Sequence, residues 1–395
     1  MRTALLAALK RTNTSDLRAM LPLAGRSVLA WQVDLARQLG CERIICLCEA
    51  PQPEILELQR ETEVTGGEFH AVRGNLQLVT LLRSDDELVM IADGLIIDNA
   101  IALEAVQPAV RLKKMVLSIP ADSAHARENP DDFERIDADR NWAGIAVMDA
   151  VQAQKLAELP PDGDAISLLL RLALQSGVPC EPLVLDRETA RGVVMATSAE
   201  ALAKRETALI EQSSEPAIWT GPGIALASVL TRRLSPRGLQ HGFALSLAAM
   251  GSFLLGGAVL SAFGFGAFGL GMVAMGAFGS RLAAAWASLR TRLFGAPDRS
   301  GLSRIFSVLV DCAAVGSLVL ALAPSPEQFA VIALPLFTIG LFRLASIDAD
   351  DRVRVFWSDR ALHLLVFAFA AAIAMLIPAL IVSGLGALGS KLLRS

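Results

Sequence analysis

Four apolar stretches constrain this chain more than any other feature: about Phe243–Phe263, Phe265–Leu289, Ile305–Ala323 and Phe329–Ile347. Each is long enough to cross a hydrocarbon core, which takes ~20 residues in helical form. A backbone in lipid must satisfy its own polar groups, so stretches of this kind fold as helices. The apolar excess is confined to the back of the chain. From Gly242 onward there are 11 Lys/Arg and 7 Asp/Glu, which leaves 25 and 33 of them in front. The 395 residues are 53% hydrophobic with a mean hydropathy of +0.48, too apolar for two soluble domains. The front is acidic and the back mildly basic. An acidic front argues against nucleic acid as a partner, because phosphate backbones require a basic footprint.

The front reads as alternating strands and helices. Thr3–Ala8 is a short buried strand, and Val28–Leu39 has helical apolar spacing and stops at Gly40. Arg43–Cys48, Glu68–Val72 and Glu87–Ala92 are further strands, followed by the strand that opens at Trp142, a helix over Ile166–Ser176 and a last strand over Pro179–Leu185. Asp131–Arg140 reads as a charged, exposed loop. This rhythm predicts an α/β domain with a mostly parallel sheet. Ligands on such sheets bind beyond the carboxyl ends of the strands, which here means Ala8–Arg26 and Asp93–Asp98. Thr197–Gln212 carries a capping signal and continues as a helix out of the domain. The five cysteines lack zinc-type spacing, and Cys46 and Cys48 alternate within a strand, which points to a reducing compartment. Met1–Lys10 is too brief an apolar run for a signal segment, so the front is expected in the cytoplasm.

The run Met20-Leu-Pro-Leu-Ala-Gly-Arg-Ser-Val-Leu-Ala-Trp, then a helix and Gly40-Cys-Glu-Arg-Ile-Ile, resembles sugar-phosphate nucleotidyltransferases over about Met1–Pro182. Ile91-Ala-Asp93-Gly94 matches the place where that family holds a metal-binding aspartate at a strand end. The resemblance implies a Rossmann-like nucleotidyltransferase fold, Mg²⁺ at Asp93 and Asp98, and nucleotide phosphates at Lys10, Arg11, Arg18 and Arg26. The family's glycine-rich first loop lets backbone amides approach phosphates. Here that loop is Ala7-Ala8-Leu9-Lys10-Arg11-Thr12-Asn13, without glycine, and the family's Pro-Lys pair reads Ala19-Met20. Read without the family, the four basic residues form a solvated rim and Asp93 caps a turn.

In the back, Pro216–Arg237 suits a helix at the membrane interface with a basic end. Arg232, Arg233 and Arg237, then Arg290, Arg292, Arg299 and Arg304, then Arg352, Arg354 and Arg360 fall at alternate ends of the spans. All three groups are therefore expected on the cytoplasmic side. Lys391 and Arg394 join them only if the ambiguous stretch Ala361–Leu392, with Pro378 near its middle, crosses twice. The expectation is six spans with both termini inside, in the inner (cytoplasmic) membrane. Glycines crowd the second span (Gly264, Gly266, Gly269, Gly271, Gly276, Gly279), which places it centrally in the bundle. Few ionisable groups lie within spans: Arg281, Asp311, Arg343 and His363. Such groups are costly in lipid and mark cavities or partners. Arg281 and Asp311 are candidates to pair across adjacent helices, as a structural or a catalytic pair.

The order of parts, with Ala203-Lys-Arg-Glu-Thr-Ala and Thr231-Arg-Arg-Leu-Ser-Pro-Arg ahead of six spans, resembles the CDP-alcohol phosphotransferase family. It is similar above all to the fused enzymes that join this half to a nucleotidyltransferase, of the bifunctional inositol-phosphate cytidylyltransferase type. That family carries DxxDGxxAR and GxxxDxxxD on spans two and three, four carboxylates that hold two divalent metals. Here the first part aligns with Val273–Arg281 and keeps the arginine, Gly276, Ala277 and Ser280 standing at other positions. The second aligns with Ser303–Asp311 and keeps the last aspartate, with Ser307 in place of another. A lone Asp311 cannot balance two divalent ions. The acidic run Asp348, Asp350, Asp351 is either a substitute or a solvated loop.

The expected organisation is a nucleotidyltransferase-like domain at 1–195, a linker and interfacial helix at 196–238, and a phosphotransferase-like membrane domain at 239–395. One functional reading is a divergent, inactive relative that acts as a scaffold or regulator in polar-lipid metabolism. The other is a working transferase of a nucleotide-activated phosphoalcohol, with Arg281 and Asp311 on a lipid-linked substrate. A cytidine nucleotide or CDP-alcohol, membrane lipid and a second copy of the chain are the expected partners. A transporter would need more polar groups within the spans.

Overall fold

The computed structural model describes residues 1–106, 112–159, 163–184, 192–213, 218–238, 241–294, 300–323, 328–347 and 350–392. The chain divides into two compact units, Met1–Thr207 and Ala208–Ser395.

The first unit runs β1 (Arg2–Ala8), a short hairpin β2 (Pro22–Leu23) and β3 (Arg26–Ser27), α1 (Val28–Gln38), β4 (Arg43–Cys48), α2 (Pro53–Val64), β5 (Glu68–Val72), α3 (Asn75–Leu81), β6 (Glu87–Ile91), β7 (Leu95–Ile97) and α4 (Asn99–Val106). It continues with β8 (Met115–Pro120), α5 (Ala124–Glu128), β9 (Arg140–Asp149), α6 (Ala150–Ala153), α7 (Ala165–Gln175), β10 (Cys180–Pro182) and β11 (Val193–Met195). The main sheet has seven strands in the order β10-β8-β9-β6-β1-β4-β5. β9 runs antiparallel to β6 and β8, and every other pair is parallel. A central parallel strand is covered on both faces, so it reads as an unbroken apolar run. β1 shows this: all of its residues from Thr3 to Ala8 are buried. The Ser27 hydroxyl caps α1 by accepting from the Ala30 amide at 3.2 Å, and Gly40 follows its end at φ +81°. β1 and β6 lie side by side and in parallel, with Leu5 opposite Met90. Their carboxyl ends therefore bring the loop after Ala8 next to the turn at Asp93-Gly94.

The second unit is helical: Pro222–Gly238, Gly242–Ala262, Gly266–Phe294, Ser300–Leu322, Gln328–Ala345, Asp351–Ser358, Arg360–Ala372 and Leu376–Leu392. Among the described residues, three helices are long and apolar enough to cross a membrane: Gly242–Ala262, Gly266–Phe294 and Gly301–Leu322. Counting Arg352–Ser358 with Arg360–Ala372, a pair bent by 52°, gives a fourth. Their outer faces carry exposed Leu245, Leu255, Val259, Phe263 and Phe268, side chains that belong in lipid rather than water. These helices mark a membrane protein.

The expected six crossings are not all matched by length. Leu376–Leu392 is apolar but has 17 residues, and Gln328–Ala345 has 18. The ambiguous last stretch is two helices, separated at Ile373–Met375, where Ala374 has φ +58°. Pro378 therefore sits in the first turn of the second helix, where its missing N–H costs nothing. The first two spans meet through glycine. A Cβ on Gly269 would lie 2.7 Å from the Gly257 carbonyl oxygen and 2.8 Å from the Ser261 nitrogen, so only a bare backbone fits there.

Candidate functional site

In the first unit the site forms where the loop after β1 meets the turn after β6. Asp93 is 5% exposed, and its Oδ2 accepts from the backbone N–H groups of Leu9 and Lys10, both at 2.7 Å. Its Oδ1 is buried without a partner among the described residues. Burial pushes the carboxyl up to about 6, against the pull of the two amides and the charges of Lys10 and Arg18. Gln32 fixes the turn from below by donating to the carbonyls of Ala92 and Leu95 at 2.8 and 2.9 Å. At Gly94 (φ +78°) a side chain would crowd Arg18 Cβ at 3.3 Å.

Each of the four expected phosphate ligands is committed to a carboxylate. Lys10 Nζ donates to Asp132 Oδ1 at 2.8 Å, and Arg18 donates from Nη1 to both oxygens of Asp132 at 2.7 and 2.8 Å. Arg11 pairs with Glu49 at 2.8 Å, and Arg26 with Asp34. Asp132 is the residue that sequence reasoning missed. It belongs to the stretch expected to be an exposed charged loop, yet it is 5% exposed, and Phe133 beside it is fully buried. Nothing in the run Asp131-Asp132 tells the two acids apart.

Asp98 does not join Asp93. Its Oδ1 accepts the Ala100 amide at 3.0 Å at the start of α4, and its Oδ2 lies 3.6 Å from Arg205. Among the described residues no group of three or more His, Cys, Asp or Glu side chains could hold a metal. One buried carboxylate oxygen of Asp93 is all the loop offers, which does not fit a resident Mg²⁺.

In the second unit Asp311 pairs not with Arg281 but with two other arginines. Arg360 Nε donates to Oδ1 at 2.7 Å and Arg343 to Oδ2 at 3.3 Å. Arg360, expected in a cytoplasmic basic group at a span end, is 6% exposed. Arg281 donates to the Ser358 carbonyl. Asp359 is fully buried and accepts from the amides of Gly223 and Leu362 at 2.7 and 3.2 Å. Four of the aligned motif positions converge, Ser280, Arg281, Ser303 and Ser307 lining one small cavity with Arg360, while Val273 and Gly276 pack elsewhere. What converges is cationic and hydroxylic rather than acidic. In the alternative acidic run, Asp350 precedes the Asp351–Ser358 helix and makes no side-chain cap, while Asp348 lies outside the described residues.

No family model matches the chain, and no curated protein matches it. Among solved structures it is similar to a putative glucose-1-phosphate thymidylyltransferase from Bacillus anthracis, at 13% identity and a TM-score of 0.39, over 53% of this chain and 95% of that one. It is also similar to a UDP-glucose pyrophosphorylase from Acinetobacter baumanii, at 11% identity and a TM-score of 0.37, over 54% of this chain and 94% of that one.

Proposed function

We propose that this chain is a divergent relative of the fused nucleotidyltransferase and CDP-alcohol phosphotransferase enzymes that has given up transfer in both halves. In this reading it serves as a membrane-held scaffold or regulator in phosphoalcohol or polar-lipid metabolism. The observation that carries the reading is the self-satisfied first loop. Asp93 takes the two backbone N–H groups that a phosphate would need, and Asp132, Glu49 and Asp34 take the cations. An incoming nucleotide would have to displace three carboxylates and compete with a fourth. In the membrane half two guanidinium groups hold Asp311, which turns its only kept carboxylate away from metal chemistry.

The test is calorimetric titration of CTP and of a CDP-alcohol into the purified full chain, with Mg²⁺ and then Mn²⁺. No saturable heat is expected from either ligand. Saturable binding that Asp93→Ala abolishes would sink the proposal and restore the working transferase. The reading puts the front unit on the cytoplasmic face, supported by the basic residues Arg232, Arg233 and Arg290 at the span ends, and takes a homodimer as the assembly.

A further inference from the structure

The membrane unit contains a cavity of about 430 Å³ between the Pro222–Gly238 helix and the facing parts of the second and third spans. That size falls within the usual range of small-molecule sites, about 300–1,000 Å³. Arg281, Arg292, Thr231, Ser228, Ser288 and Ser303 give it polar character on a wall otherwise rich in alanine and phenylalanine. It adjoins the small cavity of Ser280, Ser307 and Arg360, with Arg281, Ala284, Ser303 and Phe306 on both walls. Neither wall includes a carboxylate among the described residues.

Two independent observations give the sign of the missing ligand. The first is charge. The buried Arg281 guanidinium stands on the cavity wall and no carboxylate does among the described residues, so the wall is cationic. In a low-dielectric bundle such a wall favours an anion. The second is Thr231. It is 4% exposed, lines the cavity, and its hydroxyl has no hydrogen-bond partner among the described residues. Its neighbours Ser228, Ser280 and Thr291 are occupied, each donating to a carbonyl of its own helix. A buried hydroxyl left empty is unfavourable unless a ligand completes it.

We propose that this cavity binds a phosphate group directly, on the Arg281 guanidinium and the Thr231 hydroxyl, with no divalent cation between. The inference rests on the reading above that the membrane half no longer holds two metals, and extends it. Of the positions where the family's carboxylates would collect cations, three are now Val273, Gly276 and Ser307, and the kept Asp311 is held by arginines, so the preference of the site is inverted. A guanidinium suits this task because its planar fork matches two phosphate oxygens and stays charged when desolvated. The ligand is a phosphomonoester, carried either by a lipid headgroup or by a soluble phosphoalcohol.

The experiment uses the full chain in two arms, both in EDTA. In neutral detergent, glycerol 3-phosphate and inorganic phosphate are titrated by calorimetry. In phosphatidylcholine nanodiscs with and without phosphatidic acid, retained lipid is counted by native mass spectrometry. Binding in the first arm names a soluble ligand, and retention of phosphatidic acid in the second names a lipid. Arg281→Gln and Thr231→Val should each weaken the binding that is found by roughly tenfold, the worth of one charge-assisted or buried hydrogen bond. Arg281→Lys should retain more of it than Arg281→Gln. Thr231→Val preserves shape and breaks no side-chain hydrogen bond seen in the structure, so its effect does not depend on a damaged fold. No binding in either arm overturns this inference and leaves the loss of transfer standing, as does binding indifferent to both substitutions. Binding that appears only when Mg²⁺ replaces EDTA overturns both.

Discussion

Asp93→Asn should flatten the pH dependence of the front unit's stability between about pH 4 and 6. Burial raises the carboxyl from its ordinary 3.8 to about 6. Below pH ~4 the folded and unfolded chains both carry the proton, so Asp93 contributes no slope. Between ~4 and ~6 the unfolded chain has released its proton and the native one has not. Stability therefore falls with rising pH, by ~1.4 kcal/mol per unit for this single group. Above ~6 both states are ionised and the loss levels off at about 3 kcal/mol. Asparagine keeps an oxygen for the Leu9 and Lys10 amides but cannot titrate, and its amide nitrogen would sit where Oδ1 now has no partner. That buried donor costs about 1–3 kcal/mol at every pH, so the variant should be offset yet pH-independent through this window. The assay is hydrogen exchange of the full chain in detergent, read on the amides of Leu5–Ala8 in β1 and corrected for the intrinsic pH dependence of exchange. Parallel profiles for wild type and variant from pH 4 to 7 would refute the reasoning, because they would mean that Asp93 is not held protonated by burial.

Other perturbations test other parts. Asp132→Asn releases Lys10 and Arg18 together and should destabilise the front unit by about 3 kcal/mol, as loss of one partner of a buried pair does; the same exchange measurement reads it, and an unchanged profile would mean that the loop is held by other contacts. Asp311→Ala strands Arg360 in the bundle and should cost about 3–5 kcal/mol, seen as a lowered melting temperature in detergent, whereas a catalytic role without a structural one predicts little change. Gly269→Val forces the first two spans apart and should cost about 1–3 kcal/mol or more in the same melt; a neutral outcome would contradict the backbone contact described above.

Much of the architecture was legible because two periodicities are hard to disguise. Arg43–Cys48 and Glu68–Val72 were read to the residue, and β1, β6 and α1 to within one or two, since buried strands and amphipathic helices are written in runs of apolar residues. Of the strands that were missed, Leu95–Ile97 and Val193–Met195 are three residues each and exist by pairing with one another across about a hundred residues, while Met115–Pro120 does carry an apolar run. The site was legible in position but not in state. The loop after β1 and the turn at Asp93 do meet, as the strand ends required. That Asp93 bonds to the loop's own amides depends on the parallel register of β1 against β6, a long-range fact. The same holds for Asp311, whose partners lie 32 and 49 residues downstream, at distances no spacing rule covers.

The glycine contact between the first two spans bears on how the membrane half is made and how it moves. Only Phe263–Phe265 separates those helices, with Gly264 at φ +85°, so they leave the ribosome as one hairpin and can enter the bilayer as one object. Once backbone rests on backbone at Gly257 and Gly269, neither helix can slide along the other without a carbonyl climbing over a Cα. The hairpin is the fixed post of the assembly. Among the described residues, two breaks beyond it are places for a hinge, the 52° bend at Asp359 and the left-handed turn at Ala374.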